Sequence, residues 1–374
     1  MIRQPMPTLA PDQIAREITE ALQRPNPTLF GGAGVGCRVG YPSWDAYIEH
    51  LAKEAERFGD AESALLIRKR LEQRNHLGAA TVFKTSTLIP EGERWKAIAG
   101  LFQSPPSDSD LENLLPLVSL PFTSIVTTNY EHSLHDACAR ARGRWVVPVE
   151  RGTLRSASLS RDFFVARLHG SSEQPPSMIV DSADYRLLNA DADYLDFLIN
   201  LLATRTCVFV GFSFLDPAIS HVLDVYAERF GPTYTALHTA IIPAGETPLH
   251  DRLRQVNIKA LAYDPVADHS ELWRAVRQAF DSYKSSPPER AGGRVTASFG
   301  HGSAHRFMAF SLAQVRLRPE AQPLTTPDQT AIGSPCITSG FLPVLPAWFL
   351  RVWPAFGRAS PLPLPPRRAP RLLA

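Results

Sequence analysis

Four short stretches of this chain carry residue types that could do chemistry, and each follows an apolar run. Gly31-Gly32-Ala33-Gly34-Val35-Gly36 follows Thr28-Leu29-Phe30, and Thr127-Thr128-Asn129-Tyr130-Glu131 follows Ser124-Ile125-Val126. His169-Gly170-Ser171 follows Val165-Ala166-Arg167-Leu168, and Gly211-Phe212-Ser213 follows Cys207-Val208-Phe209-Val210. Glycine at this density lets backbone N–H groups approach a phosphate with no Cβ in the way. The amide of Asn129 offers a paired donor and acceptor to a hydroxyl or a ribose, although the same residue could cap the helix that follows it. A histidine has an unperturbed pKa near neutrality, which suits His169 to act as a base. Gly211 and Ser213 combine close backbone approach with a hydroxyl, a second place for phosphate or ribose. Together such groups can hold a dinucleotide without a metal.

The elements that must position these groups follow from periodicity. The apolar runs read as short buried strands, Cys207-Val208-Phe209-Val210 above all as a central parallel strand buried on both faces. Further strands are expected at 236–242 and 260–263. Helical spacing appears at 11–23, 43–58, 192–203, 248–256 and 270–283, and after Asn129 in Leu134, Ala137 and Cys138. Ser43 is a natural N-cap, as is Asp216 with Pro217 behind it. Strand and helix alternate, so the fold class expected is α/β, Rossmann-like, with a mostly parallel sheet. The strand ends that carry chemistry then share one edge, where open α/β sheets bind ligands. No strand is evident between Gly36 and Ser124; a helical lobe over about 44–120 is expected there, inserted above the crevice.

The glycine run is not the dinucleotide fingerprint. Counting from Gly32, the third glycine of G-x-G-x-x-G would fall at Cys37, and the second strand with its acidic ribose ligand is replaced by helix. An ordinary dehydrogenase is disfavoured.

Composition bounds the rest. The chain has 374 residues, 44% of them apolar, and a formal net charge of +2, so whole-chain electrostatics do not argue for nucleic acid. Its four cysteines are scattered with no C-x-x-C pair, which argues against a zinc ribbon or a disulfide framework. The amino terminus lacks a continuous apolar run of the secretory type, so a cytoplasmic location is expected. The apolar stretch 340–356 is short and broken by Pro343, Pro346, Arg351 and Pro354, so no membrane span is expected. At about residue 284 the composition changes. Residues 285–374 hold ten arginines, no lysine and three acids, with dense proline and weak periodicity. Two regions are therefore expected: 1–284 as the folded domain and 285–374 as a disordered Pro/Arg-rich tail. Such a tail could touch nucleic acid or a partner protein.

Over roughly 11–284 the sequence resembles the bacterial sirtuin-like domains of antiphage defence proteins. The resemblance rests on Gly32-Ala33-Gly34-Val35, Gly40-Tyr41-Pro42-Ser43-Trp44, Thr127-Thr128-Asn129-Tyr130, His169-Gly170, Asp184-Tyr185 and Gly211-Phe212-Ser213-Phe214-Leu215-Asp216-Pro217, in the family's order. It implies NAD as substrate, bound at the strand ends, with cleavage of the nicotinamide–ribose bond. Asn129 and His169 would be catalytic, the first positioning the nicotinamide ribose and water, the second acting as base. Gly32, Ala33, Gly34, Thr128, Glu131, Gly211 and Ser213 would contact the dinucleotide, and no metal is implied.

The chain departs from the deacylating sirtuins in four places. Gly36 stands where a serine usually follows the glycine–alanine–glycine run, and Glu131 where they carry an aspartate two residues past the asparagine. Gly-Tyr-Pro-Ser-Trp replaces their cofactor loop, and their zinc-binding cysteine pairs are missing. The expectation is therefore an NAD nucleosidase that yields ADP-ribose, linear or cyclised, and nicotinamide, acting as a NAD-depleting effector. A separate sensor or activator protein, or self-assembly into oligomers, would switch it. The alternatives are a non-catalytic NAD or ADP-ribose binding module that gates a partner and, further off, an NAD-dependent protein deacylase.

Overall fold

Among the described residues, seven parallel strands form one sheet in the order β3-β4-β2-β1-β5-β6-β7. The computed structural model describes residues 7–285, apart from 147, 160–161, 232–237 and 246. The Pro/Arg-rich segment from 286 onward, with the 340–356 stretch, lies outside the described residues. The chain begins with α1 (Pro11–Leu22), β1 (Pro27–Gly31) and a one-turn α2 (Ala33–Cys37). Six helices then run without a strand: α3 (Trp44–Arg57), α4 (Ala61–Glu72), α5 (His76–Thr85), α6 (Glu91–Gln103), α7 (Asp108–Glu112) and α8 (Leu115–Val118). Next come β2 (Ser124–Thr127), α9 (Ser133–Arg142), β3 (Pro148–Val149), α10 (Leu154–Leu159) and β4 (Val165–Arg167). They are followed by α11 (Ser182–Asn189), α12 (Ala192–Thr204), β5 (Thr206–Val210) and α13 (Pro217–Phe230). The described chain closes with β6 (His238–Pro243), α14 (Thr247–Gln255), β7 (Ile258–Tyr263) and α15 (Val266–Ser285).

The expected α/β class is the observed one, and alternation along the strands shows why it is stable. Leu29, Ile125, Val165 and Val208 point into a core shared with α1, α8, α9 and α15. Their neighbours Phe30, Val126, Ala166 and Phe209 point into the opposite core, with α11, α12 and α13. A strand covered on both faces has to be apolar at successive positions, which is the pattern these runs show. Buried apolar area of this kind stabilises by roughly 25 cal/mol per Å².

The strand order reverses around β1. It pairs with β2 on one side and β5 on the other, with Leu29 opposite Ile125 and Val208. A crevice opens at such a switch point, beyond the carboxyl ends of the strands.

Helices α3 to α6 pack around their own apolar centre of Tyr47, Ile48, Leu51, Phe83, Ile98 and Phe102. Tyr130, Met178 and Val180 join that centre from the sheet side, so the lobe is seated on the loops that follow β2 and β4. The Ser43 hydroxyl accepts from Ala46 N and starts α3 as a cap. Lys84 on α5 reaches Asp184 at 2.5 Å, and Asp184 also accepts from Val180 N. That acid, read in the sequence as part of a motif, ties lobe to body.

Candidate active site

Thr128, Asn129, Tyr130, Glu131 and His169 line one crevice together with Ala33, Gly36 and Asp216. Tyr41, Pro42 and Ser43 just before the lobe, with Trp44, Tyr47 and Phe102 of the lobe itself, complete the lining. The free space between the walls is about 50 Å³, room for a few waters and far below the roughly 300 Å³ or more of small-molecule pockets.

Asn129 does not cap a helix. Helix α9 starts four residues later with His132 at its N-cap position. The asparagine is instead held in the crevice, its Nδ2 donating to Glu131 Oε1 at 2.9 Å and its backbone N–H to Thr127 Oγ1 at 3.1 Å. Glu131 is buried, and its Oε1 also accepts from Ser133 Oγ. Loss of water raises the Glu131 pKa, while the hydrogen bonds from its own backbone, Asn129 and Ser133 oppose that rise.

His169 sits just past β4 and is 2% exposed. Gly170 behind it has φ +83, and a Cβ there would collide with the Ser177 carbonyl, so the turn accepts only glycine. Burial lowers the His169 pKa; the Asp216 carboxylate, 3.6 Å from Nδ1, pulls it back up. Tyr194 Oη lies 3.4 Å from Nε2, and Tyr185 Oη donates to Asp216 at 2.9 Å. Asp216 does cap α13 as its sequence context implies, accepting from Ala218 N and Ile219 N through Oδ1. Its second oxygen faces the histidine, a role its sequence context does not reveal.

The glycines on the β1 and β5 side meet one another. Gly34 N–H donates to Gly211 O at 2.9 Å and Gly32 N–H to Val210 O at 3.0 Å, so these two amides are already engaged. A Cβ at Gly34 would lie 2.9 Å from Gly211 Cα, and one at Gly211 would lie 2.7 Å from Val35 N, with φ already at +62. Glycine is needed here for two turns to touch. Gly32, Gly34, Gly211 and Ser213 do not line the crevice, and Ser213 is exposed with Leu215 N near its hydroxyl. Phe214 adopts φ +60 in the same loop, held by ring contacts to Phe209 and Phe212.

One group of metal-capable side chains stands beside the crevice among the described residues: His132, His135 and Asp136, with ligand atoms within 4.8 Å of one another. The Arg167 guanidinium lies against His132 Nε2. Burial first, then that charge, lowers the His132 pKa, and the same charge opposes a bound cation. No helix of the described residues is long and apolar enough to cross a membrane.

Residues 123–261 match the SIR2-like domain family, a span that holds Asn129, Glu131, His169 and Asp216. The chain is 27% identical over 211 residues to a protein of Bacillus cereus (strain MSX-D12) named NAD(+) hydrolase ThsA, covering 56% of this chain and 41% of that one. A protein of the same name from Enterococcus faecium is 25% identical over 213 residues, covering 56% and 42%. The chain therefore spans about two fifths of the length of these curated relatives.

Proposed function

From a chain whose residues 123–261 match the SIR2-like domain family, we propose an NAD hydrolase that cleaves the nicotinamide–ribose bond. The observation that carries the reading is the pairing in the crevice: Asn129 is anchored on the buried Glu131 carboxylate and buried His169 faces the half-buried carboxylate of Asp216. Binding alone requires neither arrangement. The names of the relatives, NAD(+) hydrolases, point the same way.

In this reading the C–N bond to nicotinamide breaks with its electron pair leaving on the nicotinamide ring. Water attacks C1′ of the oxocarbenium-like ribose, and its proton passes to His169. Asn129 holds the ribose and the water in line. Orientation, a nearby base and exclusion of bulk water supply the catalysis, and no strong nucleophile is needed. His169 suits the role because burial keeps it neutral near pH 7. Thr128, Glu131 and Ala33 would contact the substrate from the crevice wall. Gly32, Gly34, Gly211 and Ser213 would act from the turn beside it. A crevice of about 50 Å³ has to widen to admit a nicotinamide ring. That fits an effector held inactive until a partner protein or self-assembly releases it, and NAD depletion in antiphage defence is the outcome the resemblance implies.

The test is nicotinamide release from NAD by the purified chain, with candidate activators, beside Asn129→Ala and His169→Ala. Release by the wild type that falls 100-fold or more in both variants, within the roughly 10²–10⁴ range for a lost general base, supports the reading. Equal release by all three contradicts it. Binding of NAD or ADP-ribose without any release would favour a module that gates a partner.

A further inference from the structure

Residues 36 and 131, where the chain departs from the deacylases, touch each other in the folded chain. Gly36 lies in α2 with a right-handed helical backbone, so its conformation does not require glycine. Space does. A Cβ at position 36 would stand 2.8 Å from Glu131 Oε1 and 3.2 Å from Asn129 Nδ2. That carboxylate oxygen cannot step aside freely, because it accepts from Asn129 at 2.9 Å and from Ser133 at 3.1 Å inside a buried pocket.

Glu131 also settles which way round the Asn129 amide lies. The two ends of a carboxamide are nearly equal in size and opposite in hydrogen bonding, and Glu131 Oε1 accepts here from both Asn129 Nδ2 and Ser133 Oγ. The nitrogen end is therefore tied to Glu131, and the oxygen end is left to accept from a ligand in the crevice. A flipped amide would set two acceptors against each other in a low-dielectric site.

We infer that Glu131 is the positioning residue that fixes the Asn129 amide, and that glycine at 36 is the space its long side chain requires. The inference rests on the functional reading above, in which Asn129 holds the ribose and the water.

A double-substitution cycle tests it: Gly36→Ser, Glu131→Asp and the two together, with kcat and KM for NAD measured in the full chain. Gly36→Ser pushes on the carboxylate and frees the amide, and is expected to lower kcat at least 10-fold with KM changed less than 3-fold. Glu131→Asp withdraws the carboxylate by one methylene, which opens room for the serine. Glu131→Asp alone weakens the anchor and lowers kcat, and the double variant is expected to be no worse than Glu131→Asp alone, because the serine then has no carboxylate to displace. Losses that multiply, with the double variant worse than either single one, overturn the inference. So does a loss confined to KM. All variants are assayed with the same candidate activators, and Asn129→Ala and His169→Ala run alongside keep the two questions apart: if they turn over NAD like the activated wild type, the functional reading fails. The contact between 36 and 131 is then decided by unfolding midpoints, where the double variant must be more stable than the sum of the single effects.

Discussion

The two sides of the crevice are built on opposite principles. At the ends of β2 and β4 the chain places polar side chains and gives each a polar partner: Glu131 for Asn129, Asp216 and Tyr194 for His169. At the ends of β1 and β5 it removes side chains, so that Gly34 and Gly211 meet backbone to backbone. One side is rich in polar groups held by specific partners, and the other is a close-packed contact of two turns. Substitutions on the first side should therefore alter turnover, and those on the second should alter stability.

The largest effect is expected on the packed side. Gly211→Ala adds a methyl 2.7 Å from Val35 N and forces an L side chain into φ +62. Overpacking and left-handed strain together should cost about 2–5 kcal/mol, read as a fall in the urea midpoint. A variant of unchanged stability would break the contrast.

A histidine remote from the crevice provides the next test. His238 lies at the amino end of β6, and burial first, with Arg24 adding to it, lowers its pKa to about 4. Its ordinary value in the unfolded chain is near 6.5, so the unfolded state binds the extra proton as pH falls. The stability this group confers is whole above pH 6.5 and is lost as pH drops toward 4, about 2 kcal/mol of it by pH 5. His238→Asn, which keeps an acceptor for Cys207 N–H, should remove that part of the acid sensitivity and leave turnover at neutral pH unchanged. A loss of turnover would mean that the sheet transmits stability changes to the crevice.

The smallest effect distinguishes Asp216 as cap from Asp216 as partner of His169. Asparagine caps as well as aspartate, so Asp216→Asn should leave unfolding nearly unchanged. Removing the negative charge lowers the His169 pKa further, so the base stays neutral to lower pH. The acid limb of kcat/KM should therefore move to lower pH, with turnover reduced about tenfold by looser orientation. A limb that stays in place assigns Asp216 to capping alone.

Most of the scaffold was legible because local signals agreed with the global fold. Apolar runs followed by Gly, Thr or His gave β1, β2, β4 and β5, and Ser43 and Asp216 marked where α3 and α13 begin. The two-residue strand β3 was not legible, since Pro148-Val149 has no periodicity to read. The crevice was legible as a set of strand ends, yet its internal wiring was not. Nothing local to Asp216 says that Oδ2 faces a histidine 47 positions earlier in the chain, and nothing local to Tyr185 or Tyr194 says that their hydroxyls end there. The glycines at 32 and 34 pointed to a phosphate cradle, whereas their amides are engaged by Val210 and Gly211. Such pairings depend on which turns meet in three dimensions, and that is decided by helix packing far from the residues themselves.

The central claim is that the polar side of the crevice acts on bound NAD. Calorimetric binding of NAD to His169→Ala, followed beside nicotinamide release by the same protein under activating conditions, tests it most directly. The account predicts a dissociation constant within a few-fold of the wild type and release slower by at least 100-fold, as expected for a lost general base. Release that persists, or that falls only as far as binding does, would contradict it.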